Sequence, residues 1–222
     1  MTSRAAGSTD VRGTYPRIGS DESGKGDYFG PLVIAAVCVR SRDDEVFLQE
    51  LGIRDSKRVS DRRCHEMAAV VRLRLPHAVV QIGPARYNEL YQRIGNLNRL
   101  LGWAHARALE DVAQQCPSAM LAVTDKFGDD AYVERCLMER GRQLYLCQQV
   151  RAEGDVAVAA ASVVARAVFL DKLEKLAREA GFPLPKGAAA GVEEAARRVL
   201  RDRGQEGLAR VAKLHFRTTA RL

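Results

Sequence analysis

A chain of 222 residues with 46% hydrophobic content can bury one good-sized core, which makes a single domain the default and leaves little room for a second. Its 35 Lys and Arg against 28 Asp and Glu give a formal charge of +7, so the surface field favours a polyanion such as nucleic acid, although such an excess also serves solubility alone. No apolar run approaches the roughly 20 residues of a membrane span, the N-terminus lacks the apolar block of a secretory signal, and five cysteines without C-x-x-C spacing argue for reduced thiols in a cytoplasmic protein.

Residues 1 to about 15 are small, polar and aperiodic, which predicts a flexible arm ahead of a folded domain over 16–222. "RIGSDE" and "PLVIAAVCVR" read as two strands joined by the glycine loop "GKGDYFG". "LGIRDSKRVSDRR" reads as a polar loop, followed by a helix from about Ser60, as N-cap, to Leu75. "HAVVQIG" predicts a third strand. From Pro84 to Gln115 the pattern is helical in two pieces broken at "IGNLN", with Leu97, Leu100, Leu101, Ala104 and Ala108 on one apolar stripe. "AMLAVTD" predicts a strand ending at Asp125, then a glycine turn into a helix near Asp129. "QLYLCQQV" reads as a further strand and "DVAVAAASVVARAVFLDKLEKLAREAG" as a long helix whose alanine-rich half suits close packing on a sheet. Two more helices are expected from Gly191 onward. Strands interleaved with helices predict a layered α/β domain.

The chemistry gathers at strand ends. Asp21 and Glu22 are followed at once by Gly24 and Gly26, and Asp125 closes another strand. Neighbours on a strand point to opposite faces, so Asp21 and Glu22 share a site only if the chain bends or the longer Glu reaches around; the glycines permit a bend. If the three acids meet, their repulsion calls for a cation. An all-oxygen set without nearby His or Cys suits Mg²⁺ or Mn²⁺ rather than Zn²⁺, and two such ions, roughly 4 Å apart, suit hydrolysis of a phosphodiester. Without Cβ atoms, Gly24 and Gly26 let the backbone approach a ligand, and a ribose 2′-OH both donates and accepts, so the loop is suited to tell RNA from DNA.

With these residues in place, the chain resembles the type 2 ribonucleases H, and within them the ribonuclease HIII branch. The match runs through "SDESGKGDYFGP", "LGIRDSKRVSD", "YNELYQRIGNLNRLLGWAHARALE", "VTDKF", "RAEGDVAVAAASVVARAVFLDKLEKL", "PLPKGAAAGVEEAARRV" and "AKLHF", essentially residues 17 to 218. The resemblance implies a ribonuclease-H-like mixed sheet flanked by helices, with a helical C-terminal part, as one catalytic domain over 16–222. It also implies an endonuclease, expected as a monomer, that cuts the RNA strand of an RNA/DNA hybrid and leaves 5′-phosphate and 3′-hydroxyl ends. It assigns Asp21, Glu22 and Asp125 as metal-holding catalytic acids. Glu153 is preferred as the fourth, with Asp155 as the alternative or as a helix cap. Gly24, Lys25 and Gly26 match the loop that reads the ribose, and Ser56 and Lys57 match phosphate contacts, with Asn96, Asn98 and Lys186 as weaker candidates. His215 is read as structural, and Ser162 and Arg166, on the alanine-rich helix, either face the sheet edge or serve as packing or surface residues. The separate N-terminal substrate-binding domain common in that branch has no counterpart in the 20 residues before Asp21, which implies a weaker and more salt-sensitive grip on duplex. A junction-type enzyme cutting at single ribonucleotides in DNA, and a hybrid-binding protein without catalysis, stay open beside this reading.

Overall fold

The computed structural model describes residues 13–53, 59–125, 130–149, 152–188 and 190–222. Its centre is the pair of strands joined by the glycine loop. β1 (Arg17–Ser23) and β2 (Leu32–Val39) run antiparallel, with Asp21 opposite Ala35 and Glu22 opposite Ile34. β3 (His77–Ile82) pairs antiparallel with β2, while β4 (Leu121–Asp125) lies parallel to β1 and β5 (Tyr145–Gln149) parallel to β4. The result is a mixed five-stranded sheet of order β3-β2-β1-β4-β5.

The continuous apolar run of β2 is explained by burial on both faces. Val33, Ala35, Val37 and Val39 join one core, and Leu32, Ile34, Ala36 and Cys38 the other. The first core is roofed by α1 (Arg42–Glu50), α2 (Asp61–Arg74), α6 (Val156–Ala180) and α7 (Ala190–Val211); the second by α3 (Pro84–Ile94) and α4 (Leu97–Gln115). A short helix, α5 (Asp130–Cys136), follows β4. Ser60 caps α2 by accepting from the Arg63 N–H, as expected, and Gly181 ends α6 in the left-handed conformation that glycine takes without strain. α7 bends at Gly204, φ 66°, which accounts for the two helices read in that stretch. α1 is an addition to the sequence reading: its apolar residues Val46, Phe47 and Leu48 are consecutive rather than periodic. Ser41 caps it and three acids in its first turn suit the helix dipole.

The alanine-rich start of α6 lies on the backbone of β1. A Cβ on Gly19 would stand 2.2 Å from both Ala157 C and Val158 N. Gly19→Ala is therefore expected to lower stability by about 1–3 kcal/mol, read as a lower urea midpoint; an unchanged midpoint would mean that strand and helix part without cost.

Most of the arm expected over 1–15 falls outside the described residues, but Tyr15 packs against the first core and its hydroxyl donates to Glu45. All five cysteines are free thiols. Among the described residues no helix is long and apolar enough to cross a membrane.

Candidate active site

β1 and β4 set the frame of the site. The parallel register ends with Ser20 beside Thr124, so Asp21 and Asp125 are each the next residue along two neighbouring strands, where β4 stops. Strand alternation holds through the acidic pair. Asp21 accepts a hydrogen bond from Ser162 of α6, on one face, whereas Glu22 lies against the buried His105 of α4, on the other. No bend turns the two side chains to one face; Asp21 Oδ1 instead folds back to accept from the Glu22 N–H at 2.8 Å. The two carboxylates flank the same strand, close enough for Glu22 to bear on the ionisation of Asp21.

The charges divide unequally. Burial and the adjacent Glu22 carboxylate push Asp21 up to about 6, against the opposing pull of Ser162, the Glu22 N–H and His105. Burial also pushes Glu22 upward, but His105 and Lys25 outweigh it and bring Glu22 down to about 2. His105 Nε2 sits 3.3 Å from Glu22 Oε2, and its Nδ1 sits 2.9 Å from Ser20 Oγ. A carboxylate only accepts, so in the neutral ring Nε2 carries the proton and Nδ1 accepts from the serine hydroxyl. His105 was not picked out from the sequence. Its signal was there: a histidine four residues after Leu101, on the edge of the apolar stripe of α4.

Asp125 Oδ1 accepts from the Ala152 N–H at 3.4 Å, which ties the end of β4 to the single 3₁₀ turn Ala152–Gly154 ahead of α6. Asp155 is engaged twice. Its Oδ1 caps α6 by accepting from Ala157 N and Val158 N at 2.8 and 3.4 Å, and its Oδ2 takes the Arg17 Nε–H at 2.8 Å. Those bonds occupy Asp155 as a cap; the side chain of Glu153, in that 3₁₀ turn, lies outside the described residues. Among the described residues no three His, Cys, Asp or Glu side chains form a group able to hold a metal ion.

The glycine loop is closed on one side and open on the other. Gly24 has φ 86°, and a Cβ there would meet Pro31 O at 2.1 Å, so the turn admits no side chain. A Cβ on Gly26 would meet nothing within 4 Å, leaving that peptide approachable. Lys25 Nζ stands 3.2 Å from Glu22 Oε1. The C-terminal segment straps the loop down: Tyr28 N–H donates to Gly187 O at 2.9 Å, Gly30 N–H to Val211 O at 3.0 Å, and Lys213 N–H to Tyr28 O at 2.8 Å. The fully buried Lys213 ammonium donates to Gly30 O at 2.6 Å, and burial pushes it down to about 7.

Ser56 and Lys57 lie outside the described residues. Lys186 and Arg166 both pair with Asp61, at 2.9 and 2.8 Å, at the start of α2. Asn96 caps α4 by accepting from Arg99 N, and His215 is packed among Tyr87, Tyr91 and Phe216, consistent with a structural role.

Comparison with known proteins identifies the family and the fold. The ribonuclease HII family model matches residues 18–219. Ribonuclease HIII of Protochlamydia amoebophila is 43% identical over 203 residues, 91% of this chain and 67% of that protein. Ribonuclease HIII of Chlamydia pneumoniae is 40% identical over 91% of this chain and 68% of its own length. Among solved structures, that of Bst-RNase HIII in complex with Mn²⁺ superposes with a TM-score of 0.85 at 38% identity, covering 94% of this chain and 69% of that one. That of Aquifex aeolicus RNase H3 gives 0.74 at 30% identity, over 91% and 73%. The family model, the relatives and the shared fold thus define a metal-dependent ribonuclease of the ribonuclease H class, a hydrolase. The chain belongs to the ribonuclease HII family, and the relatives it resembles in detail carry the name ribonuclease HIII.

Proposed function

We propose that this chain cleaves the RNA strand of RNA/DNA hybrids within the strand, leaving 5′-phosphate and 3′-hydroxyl ends, and that residues 16–222 act as one catalytic domain. Asp21, Glu22, Asp125 and Glu153 would hold Mg²⁺ or Mn²⁺. The observation that supports this reading is that Asp21 and Asp125 each follow the last paired residues, Ser20 and Thr124, of neighbouring parallel strands, with Glu22 adjoining. The donor set fits: it is all carboxylate, as hard divalent cations require, and the charge of Glu22 disfavours ionisation of Asp21, a repulsion that a cation would relieve. The Mn²⁺ complex of Bst-RNase HIII supports the same choice of ion. When bound, a pair of such ions supplies an activated water and stabilises the departing oxygen.

The chain's own residues orient what is bound. His105 and Lys25 grip Glu22 from two sides, so its carboxylate stays ionised and its rotamer fixed. Ser162 and the Glu22 N–H hold the Asp21 carboxylate in place, although burial and Glu22 still push its pKa up to about 6. The exposed peptide at Gly26, with Gly24 and Lys25 on a loop strapped down by Lys213, would meet a ribose 2′-OH, and Ser56 and Lys57 would contact phosphates.

The test is a gel of labelled hybrid, DNA duplex, RNA duplex and a DNA duplex holding one ribonucleotide, each with Mg²⁺, Mn²⁺ or chelator. Cutting of the continuous hybrid, dependent on metal, is expected. A hybrid bound yet left whole in Mg²⁺ and Mn²⁺ would make the chain a binding protein, and cutting confined to the single ribonucleotide would make it a junction enzyme. His105→Ala should raise the metal concentration needed for half-maximal cleavage by about 10–100-fold, because Glu22 loses the partner that orients it; an unaltered metal titration would remove His105 from this role.

A further inference from the structure

Resting on the hybrid-cleaving reading, we propose that the outer face of α4, together with α5, is a second nucleic-acid site that takes a single-stranded tail leaving the hybrid. Trp103 is the chain's only tryptophan, and it is 41% exposed rather than in the core. Arg99 and Arg107 lie one helical turn to either side of it on the exposed stripe of α4. Tyr132 of α5 packs over the same helix at Gly102, where a Cβ would meet its Cδ1 at 2.9 Å. Both Arg99 and Arg135 hold their guanidinium groups 5.8 Å from the Tyr132 ring centroid, and neither is ion-paired with a carboxylate among the described residues. Arg107 makes a loose pair with Asp111 at 4.0 Å and touches Met138. Nearby in sequence lie further acids, Asp130 and the exposed Glu134 on α5 and the exposed Glu139 after it.

The face stands at the end of the sheet that carries the acids. Gln115, the last residue of α4, bonds His77 O at the opposite end of the sheet, while His105 touches Glu22. Arg99 and Trp103 belong to the turns before His105, so α4 carries them toward and past the acidic edge, Arg99 by about 9 Å along the axis.

Arginines interleaved with an exposed indole fit a strand whose bases are unstacked. Phosphates pair with the guanidinium groups and a base face lies on Trp103, an arrangement indifferent to sequence. A duplex would offer this surface phosphates but no base face. The occupant is therefore a single strand continuous with the cleaved duplex.

Because Trp103 is the only tryptophan, its emission reports on stacking directly. An oligodeoxythymidylate of about ten nucleotides, added to the full chain in chelator and low salt, should quench that emission saturably. A blunt hybrid should quench it far less. Trp103→Leu should weaken binding of the oligonucleotide, read by anisotropy of a labelled strand, by about 10-fold, while cutting blunt hybrid at the wild-type rate. Arg99→Gln with Arg135→Gln should make the plot of log affinity against log salt shallower by about 1.4, the single-strand value for two phosphate contacts. Absent quenching, or Trp103→Leu binding the oligonucleotide as the wild type does, overturns the proposal. Because this binding is read without metal, failure of wild-type protein to cut any hybrid would instead fall on the catalytic reading.

Discussion

Asp125→Asn is expected to reduce cleavage of a hybrid by at least about 100-fold while the fold survives. Asparagine keeps the size of the side chain and a carbonyl able to accept from Ala152 N–H, the contact that ties β4 to the turn ahead of α6. What it loses is the negative charge at the end of β4, one residue past its last pairing with β1. Single-turnover cleavage at saturating Mn²⁺, set beside the urea midpoint of the same variant, separates the two effects. Unchanged turnover with an intact fold would remove Asp125 from the catalytic set.

The largest loss of stability is expected from Arg17→Met. Arg17 is 1% exposed at the start of β1, and its guanidinium donates to Asp155 at 2.8 Å, Glu45 at 2.9 Å and Thr14 O at 3.2 Å. Burial works against its charge, but Asp155 and Glu45 more than offset that and raise its pKa above the ordinary value. Removing one partner of a buried pair leaves the other charge uncompensated, at a cost of about 3–5 kcal/mol. Here the stranded group is Asp155, 2% exposed in its side chain. Adding Asp155→Asn should recover part of the loss, since asparagine still caps α6 without carrying a charge. A loss below about 1 kcal/mol in the single variant would place the pair with solvent-screened surface bridges instead.

Arg17 also shows where sequence reading reached and where it stopped. Strands and long helices were legible because their signals are local: the apolar run of β2, Ser60 before α2, the alanine-rich run of α6. α1 was not, because Val46, Phe47 and Leu48 without periodic partners look like a fragment of a loop, and its stability comes from Ser41 and from packing. At the site, Asp21, Glu22 and Asp125 stood out as acids at strand ends, yet their sidedness did not. The glycines suggested a bend that would gather the first two, whereas the strand keeps its alternation and gives each acid a partner from a different helix, Ser162 and His105.

Those partners lie 83 and more residues away in sequence, as Lys213 lies 183 from Gly30. No window of sequence contains both members of such a pair. The ambiguity between Glu153 and Asp155 was of the same kind: the cap at Asp155 was locally visible, but the buried guanidinium that fixes it comes from the first strand, 138 residues earlier.

Crystals soaked in Mn²⁺ and measured for anomalous scattering test the centre of this account most directly. The account predicts a peak beside Asp21 and Asp125, with carboxylate oxygens at about 2 Å from it, and loss of that peak in Asp125→Asn. Ordered Mn²⁺ found only elsewhere on the chain, with both aspartates left bare, would contradict it.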